Sequence, residues 1–241
     1  MEQEGKKFCL SVAGHNIEIK TLYSEAYNLC KEYITQDTPE FELSISPEDI
    51  NKERTEIVNQ GTKAQGAYLE TLAVYRKIAE KLLYKDILLM HGAVIGFKDR
   101  AFMFTAASGT GKTTHIKKWL ANLKESYVVN GDKPLIKLTG NEVIACGTPW
   151  CGKEKMGRNC MVPLNAIVLM RRGEKNEIHE ITFSEAFSGI LQQTYMPKDP
   201  EKMIITLSLL SKLSGRVRFY DYTFNNMKDD AFQVAYNSIA I

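Results

Sequence analysis

Ala106-Ala107-Ser108-Gly109-Thr110-Gly111-Lys112-Thr113-Thr114 decides how this chain is read. It follows an apolar run, Ala101 to Thr105, and precedes a helical pattern reaching about Lys124. Strand, glycine loop and helix in that order match the Walker A phosphate-loop pattern, with Ala106 in the first glycine position. Each residue has a chemical reason. Glycines let the backbone curl until successive N–H groups point at phosphate oxygens. The following helix adds its positive N-terminal end. Lys112 can reach the β- and γ-phosphates, and the Thr113 hydroxyl suits Mg²⁺. Ala107, Ser108, Gly109, Thr110, Gly111, Lys112, Thr113 and Thr114 are therefore the candidate nucleotide-binding residues.

Working outward, His91 lies 21 residues before Lys112 (112 − 91), after the apolar run Ile87 to Met90. It sits where a neighbouring strand would bring it into the same crevice; a lone histidine is otherwise most often a satisfied core residue. Downstream, Tyr127-Val128-Val129 reads as a short strand ending at Asn130-Gly131-Asp132. Asp132 stands where a Mg²⁺-linked carboxylate belongs in phosphate-loop enzymes, although Asn-Gly-Asp is also a turn sequence. The glycine-bounded segment Gly147 to Arg158 carries Lys153, Lys155 and Arg158 around Glu154. Such a loop can close over an anionic substrate. Glu154 is the candidate second carboxylate, binding a second Mg²⁺ or accepting a hydroxyl proton. Arg171 and Arg172 read as surface charges.

Elsewhere, Phe8 to Val12 and Ile17 to Ile19 alternate as a hairpin, and Phe41 to Ile45 as another strand. Ser24 to Tyr33 suits a short helix capped by Ser24, and Tyr68 to Tyr84 an amphipathic one. Glu48 to Thr62 reads as an exposed connection. Leu135 to Leu138 and Glu142 to Ala145 form a hairpin pattern, and Ala166 to Met170 a buried-type strand. Ser184 to Thr194, Glu201 to Leu213 and Lys228 to Ser238 are expected helices, with Val217 to Tyr222 a strand.

Leu89-Met90-His91, Ala101 to Phe104 and Ser108 to Thr114 resemble the core of ATP-dependent phosphoenolpyruvate carboxykinase, where Met-His precedes the loop at nearly this spacing. Val128 to Asp132 resembles the acidic strand end that HPr kinases place after the loop's helix. The resemblance covers about Ile87 to Leu138. The chain's size suits the HPr-kinase-like branch, including the small kinases that modify precursor peptides. The resemblance implies an α/β P-loop core with a mixed sheet, spanning 86–241, beside a small α+β lobe at 1–85. It implies His91 near metal or phosphates, Lys112 and Thr113 on phosphate and metal, and Asp132 on Mg²⁺. HPr kinases carry two adjacent aspartates here; this chain has Gly131-Asp132, which leaves the general base open.

Composition bounds the rest. The 241 residues, 44% hydrophobic and 25% charged, suit one domain plus a lobe. Lys plus Arg is 31 against 29 acids, a net +2, so no basic excess suggests nucleic acid. No apolar run is long enough for a membrane span, and no signal-peptide pattern opens the chain. Five scattered cysteines suggest free thiols rather than a disulfide framework. A cytoplasmic setting is expected, and a homo-oligomer is left open. The expected function is ATP- and Mg²⁺-dependent transfer of a γ-phosphoryl group to a hydroxyl of a small molecule or peptide serine. The alternatives are an ATP-binding regulator or ATPase switch, and a carboxykinase-like lyase. The last needs upstream arginines, and the first 85 residues hold only Arg54 and Arg76.

Overall fold

Residues 4–59, 64–225 and 230–240 are described by the computed structural model, an α/β chain that divides between Leu82 and Leu83 into two compact units. In the first unit, β1 (Lys7–Val12) and β2 (His15–Lys20) form the expected hairpin. They are followed by α1 (Glu25–Leu29), β3 (Ile34–Thr35), β4 (Phe41–Ser44), α2 (Pro47–Asn59) and α3 (Gly66–Leu82). The sheet order is β3-β1-β2-β4, with β4 parallel to β2. Leu10, Ile17 and Ile19 are fully buried, as the alternation predicts.

Two readings of this unit are corrected. The expected helix over Ser24 to Tyr33 covers only Glu25–Leu29, and the Ser24 side chain makes no cap bond. The supposed connection from Glu48 is a 13-residue helix; Thr62 lies outside the described residues. Its sequence hid it because a helix that buries Ile50 and Glu53 but faces mostly outward shows little apolar periodicity. Glu53 is held instead by Arg76 of α3 at 3.0 Å.

The second unit contains β5 (Ile87–Leu89), β6 (Ala93–Phe97), β7 (Arg100–Thr105), α4 (Lys112–Asn122), β8 (Ser126–Asn130), β9 (Leu135–Thr139), β10 (Glu142–Cys146) and β11 (Met161–Arg172). Then come β12 (Glu177–Ile181), α5 (Phe183–Gln192), α6 (Pro200–Ser211), β13 (Arg218–Phe224) and α7 (Ala231–Ile239). Lys228, where the last helix was expected to begin, lies outside the described residues. The sheet is mixed, in the order β5-β9-β10-β11-β7-β6-β8, with β13 on β11 and β12 on β13. β11 is far longer than its apolar centre suggested. Its start pairs antiparallel with β10, and its later part lies parallel between β7 and β13. β12 was missed because it is a mostly exposed strand that pairs with β13 alone.

Alternation along β7 and β11 divides the core between the two sheet faces. Met103 and Ile167 pack in one cluster with Ala186 and Ile190 of α5 and Leu209 and Leu210 of α6. Phe102, Phe104, Ala166 and Val168 pack in the other with Ile116 and Trp119 of α4 and Phe232 and Ala235 of α7. Strands buried on both faces read as continuous apolar runs, which is why β7 was legible.

Register then places the ends. β6 and β7 are antiparallel, with Ala93 opposite Phe104; β6 and β8 are antiparallel, with Val94 opposite Asn130. The start of β6 therefore shares one sheet edge with the ends of β7 and β8. His91, the loop after Thr105 and Asp132 meet at that edge.

His115 is fully buried beneath the loop's helix, edge-on to Phe104 (centroids 4.7 Å) and Tyr222 (5.3 Å). Trp119 Nε1–H donates to its Nε2 at 3.0 Å, leaving Nδ1 buried without a hydrogen-bond partner. Burial pushes its pKa down to about 3, with nearby Lys118 adding to the effect. Between that value and the ordinary 6.5, the unfolded chain takes up a proton that the folded chain refuses. This contribution is therefore complete above about pH 6.5 and is lost towards pH 3, at about 1.4 kcal/mol per pH unit. Urea midpoints measured from pH 7 to pH 4 should fall more steeply for the native chain than for His115→Phe; equal slopes would remove His115 from that account.

Candidate functional site

The loop from Ala106 to Gly111 turns through two left-handed glycines, Gly109 (φ 77°) and Gly111 (φ 118°), where a β-carbon would be strained. Ala106 needs no such angle, so alanine is tolerated there. Gly111 caps α4, which starts at Lys112. The Lys112 side chain folds back, its Nζ donating to Ala106 O at 2.7 Å and Ala107 O at 3.3 Å. Thr110 stitches the turn by donating Oγ1–H to Ala107 O at 2.8 Å. Burial draws the Lys112 pKa down, partly offset by the charge of Asp132. Ala107, Ser108 and Gly109 are exposed, Thr110 and Thr113 half-buried, and Thr114 exposed.

His91 and Asp132 are brought together: His91 Nε2 lies 3.2 Å from Asp132 Oδ1. A carboxylate only accepts, so Nε2 carries the hydrogen. His91 Nδ1 lies 2.9 Å from the Gln193 side-chain oxygen, and His91 N–H donates to Gln193 O at 2.7 Å. Thr105 Oγ1 donates to His91 O at 2.6 Å, and Gly92 N–H to Asp132 O at 2.9 Å. The imidazole is thus fixed between two partners. Burial pushes the Asp132 carboxyl up, but the hydrogen bond from His91 and the charges of Lys133, His91 and Lys112 outweigh it. Asp132 stays below the ordinary aspartate range, ionised near neutrality.

Asn130, which the sequence reading passed over, holds this turn. Its Oδ1 accepts from the N–H of Asp132 (2.8 Å) and of Lys133 (2.7 Å). Its Nδ2 donates to Thr148 O (3.1 Å) and Thr148 Oγ1 (2.9 Å). The same turn is strapped by the polar segment. Lys133 N–H donates to Trp150 O, and Arg158 N–H to Val129 O. Trp150 is buried, and the Arg158 guanidinium lies over the Tyr127 ring at 4.7 Å. Glu154 pairs with Lys117 of α4 at 3.2 Å, both side chains about half exposed. It ties the segment to the loop's helix. A β-carbon at Gly131 would lie 2.6 Å from Cys151 O and 3.1 Å from Met156 O. The strap's backbone leaves no room for a side chain at this position.

Among the described residues, no group of three or more His, Cys, Asp or Glu side chains is gathered to hold a metal. Thr113, half-buried in the first turn of α4, and the ionised Asp132 are oxygen donors. They suit a Mg²⁺ ion that keeps water and phosphate ligands. Among the described residues, no helix is long and apolar enough to cross a membrane.

No protein-family model and no curated protein sequence matches the chain. Among solved structures, the Hpr(Ser) kinase/phosphatase from Coxiella burnetii is similar at a TM-score of 0.38 and 10% identity. That likeness covers 62% of this chain and 94% of the other. At that level it carries no functional weight, and the reading of the site rests on its side chains.

Three variants test the geometry. Gly131→Ala should cost about 1–3 kcal/mol by forcing the strap outward, seen as a lower melting temperature and faster proteolysis within 147–158. Gly131→Asp should do the same and gain no second functional carboxylate. His91→Ala should let burial dominate at Asp132, so its carboxyl titrates at higher pH in carbon-detected NMR. An unchanged titration would mean that His91 does not hold the ionised form.

Proposed function

We propose that this chain is an ATP- and Mg²⁺-dependent phosphotransferase acting on a hydroxyl of a small molecule or peptide, built on a P-loop core. The observation that carries the reading is the contact of His91 with an ionised Asp132 at the sheet edge the glycine loop also occupies. A loop with curled N–H groups and a buried lysine suits polyphosphate. A carboxylate kept ionised by histidine suits the cation that accompanies polyphosphate.

In this reading the nucleotide's phosphates lie on Ala107 to Thr114. Lys112 leaves the Ala106 and Ala107 carbonyls for β- and γ-phosphate oxygens. Thr113 and Asp132 would hold Mg²⁺, which neutralises charge on the phosphates when bound. The acceptor oxygen attacks the γ-phosphorus in line, its P–O bond forming as the bond to the β-phosphate bridge breaks. The hydroxyl proton passes to a phosphate oxygen or to water, and the His91 N–H steadies Asp132 in its ionised, metal-holding form. Phosphoryl transfer asks chiefly for positioning and charge neutralisation, which one carboxylate and one lysine can supply.

Gly131 favours a second reading, an ATPase switch, because its neighbour stands without an adjacent acid. γ-Labelled ATP incubated with Mg²⁺ and hydroxyl acceptors separates the two. Label carried onto an acceptor supports the kinase; label released only as phosphate supports the switch. Lys112→Ala should lower turnover by about 100-fold or more, and Asp132→Asn should remove transfer while leaving binding of a fluorescent ADP largely intact. Unchanged turnover in both variants would overturn the site.

A further inference from the structure

Arg172 was read from sequence as a surface charge, and its geometry assigns it another role. β11 runs parallel to β7 with Leu169 opposite Thr105, so its last residues continue beside the glycine loop. Residues two apart on a strand share a face. Arg172 is therefore on the side of Met170, which packs in the cluster containing α4. Arg171 takes the other side, pairing with Asp221 at 2.5 Å and Thr223 Oγ1 at 2.8 Å. The backbone at Arg172 is fixed by its register with Phe224 of β13, and Gly173 N–H donates to Phe224 O at 3.0 Å.

From that base the guanidinium grips two consecutive loop carbonyls. Arg172 Nε donates to Thr110 O at 3.0 Å, and Nη2 donates to Gly109 O at 2.6 Å. A trans peptide sets its C=O and N–H on opposite sides. Pinning these carbonyls to the guanidinium turns the N–H groups of Thr110 and Gly111 the other way, where the Thr110 N–H meets Ala107 O at 3.3 Å in a contact that a phosphate oxygen would displace. The left-handed angles at Gly109 and Gly111 permit the turn. A carbonyl swung inward would instead present its lone pairs to phosphate oxygens.

We propose that Arg172 is a positioning residue for the nucleotide: it clamps the Gly109 and Thr110 carbonyls away from the phosphates and so sets the loop's affinity for di- and triphosphates. The proposal rests on the nucleotide-binding reading above. The clamp needs a planar two-pronged donor, which arginine has and lysine lacks. Arg171, one residue away on the other face, carries the same charge without the grip.

The test titrates ADP with Mg²⁺ into the full chain and into Arg172→Ala, Arg172→Lys and Arg171→Ala by calorimetry. Amide hydrogen exchange of 106–111 is followed without nucleotide. Both Arg172 variants should bind ADP roughly tenfold more weakly, about what one charge-assisted hydrogen bond gives, and exchange faster. Arg171→Ala should do neither. Native affinity and exchange in Arg172→Lys would overturn the clamp in favour of charge alone. Native chain that binds no ADP would overturn the nucleotide reading itself. In that case faster exchange in both Arg172 variants still supports the clamp, and unchanged exchange overturns it.

Discussion

The buried amide of Asn130 is the interaction on which the sheet edge depends. A side-chain amide offers two donors and an acceptor with two lone pairs, and Asn130 uses all four positions on Asp132, Lys133 and both oxygens of Thr148. Thr148 completes the circuit by donating its hydroxyl to Lys133 O at 2.8 Å. One residue thus shapes the turn that presents Asp132 and anchors the start of the strap that lies over it. An unsatisfied buried amide is costly, so the turn and the strap are held together rather than separately.

That coupling explains the chemistry left at the edge. The strap's backbone comes so close to the turn that Gly131 cannot carry a side chain, and the carboxylate beside it stands alone among neighbours of opposite charge. Asp132 does not need a second acid to remain ionised, because His91, Lys133 and Lys112 overcome the cost of its burial. His91 is in turn held by the side chain and backbone of Gln193, at the end of α5. Precision here comes from backbone and amide groups on three separate elements rather than from one rigid helix.

Local features were legible in the sequence and distant ones were not. The apolar strand, the left-handed glycines and the helix after them are each dictated by neighbouring residues, so the loop could be read directly. His91 and Asp132 could be suspected of sharing a crevice, but their contact follows from β6 pairing with both β7 and β8. Gln193 is 102 residues from His91 and Arg172 62 residues from Thr110; no spacing rule predicts such pairs. α2 and β12 escaped because elements with little buried surface leave little apolar pattern. Glu154 was singled out for its charge in a basic segment, and its pairing with Lys117, 37 residues away, is another contact that spacing does not give.

The site is electrostatically self-contained, and this bears on the proposed reaction. Lys112 is satisfied by two neutral carbonyls while its charge helps keep Asp132 ionised. Phosphate oxygens carry full charge and outbid carbonyls for an ammonium group. Once they engage Lys112, its hold on the two carbonyls is given up, while the hydrogen bond from His91 to Asp132 and the turn set by Asn130 remain. In the proposed reaction Lys112 is therefore the group that must change partners, whereas Asp132 and the grip of Arg172 on Gly109 and Thr110 are set by the fold itself.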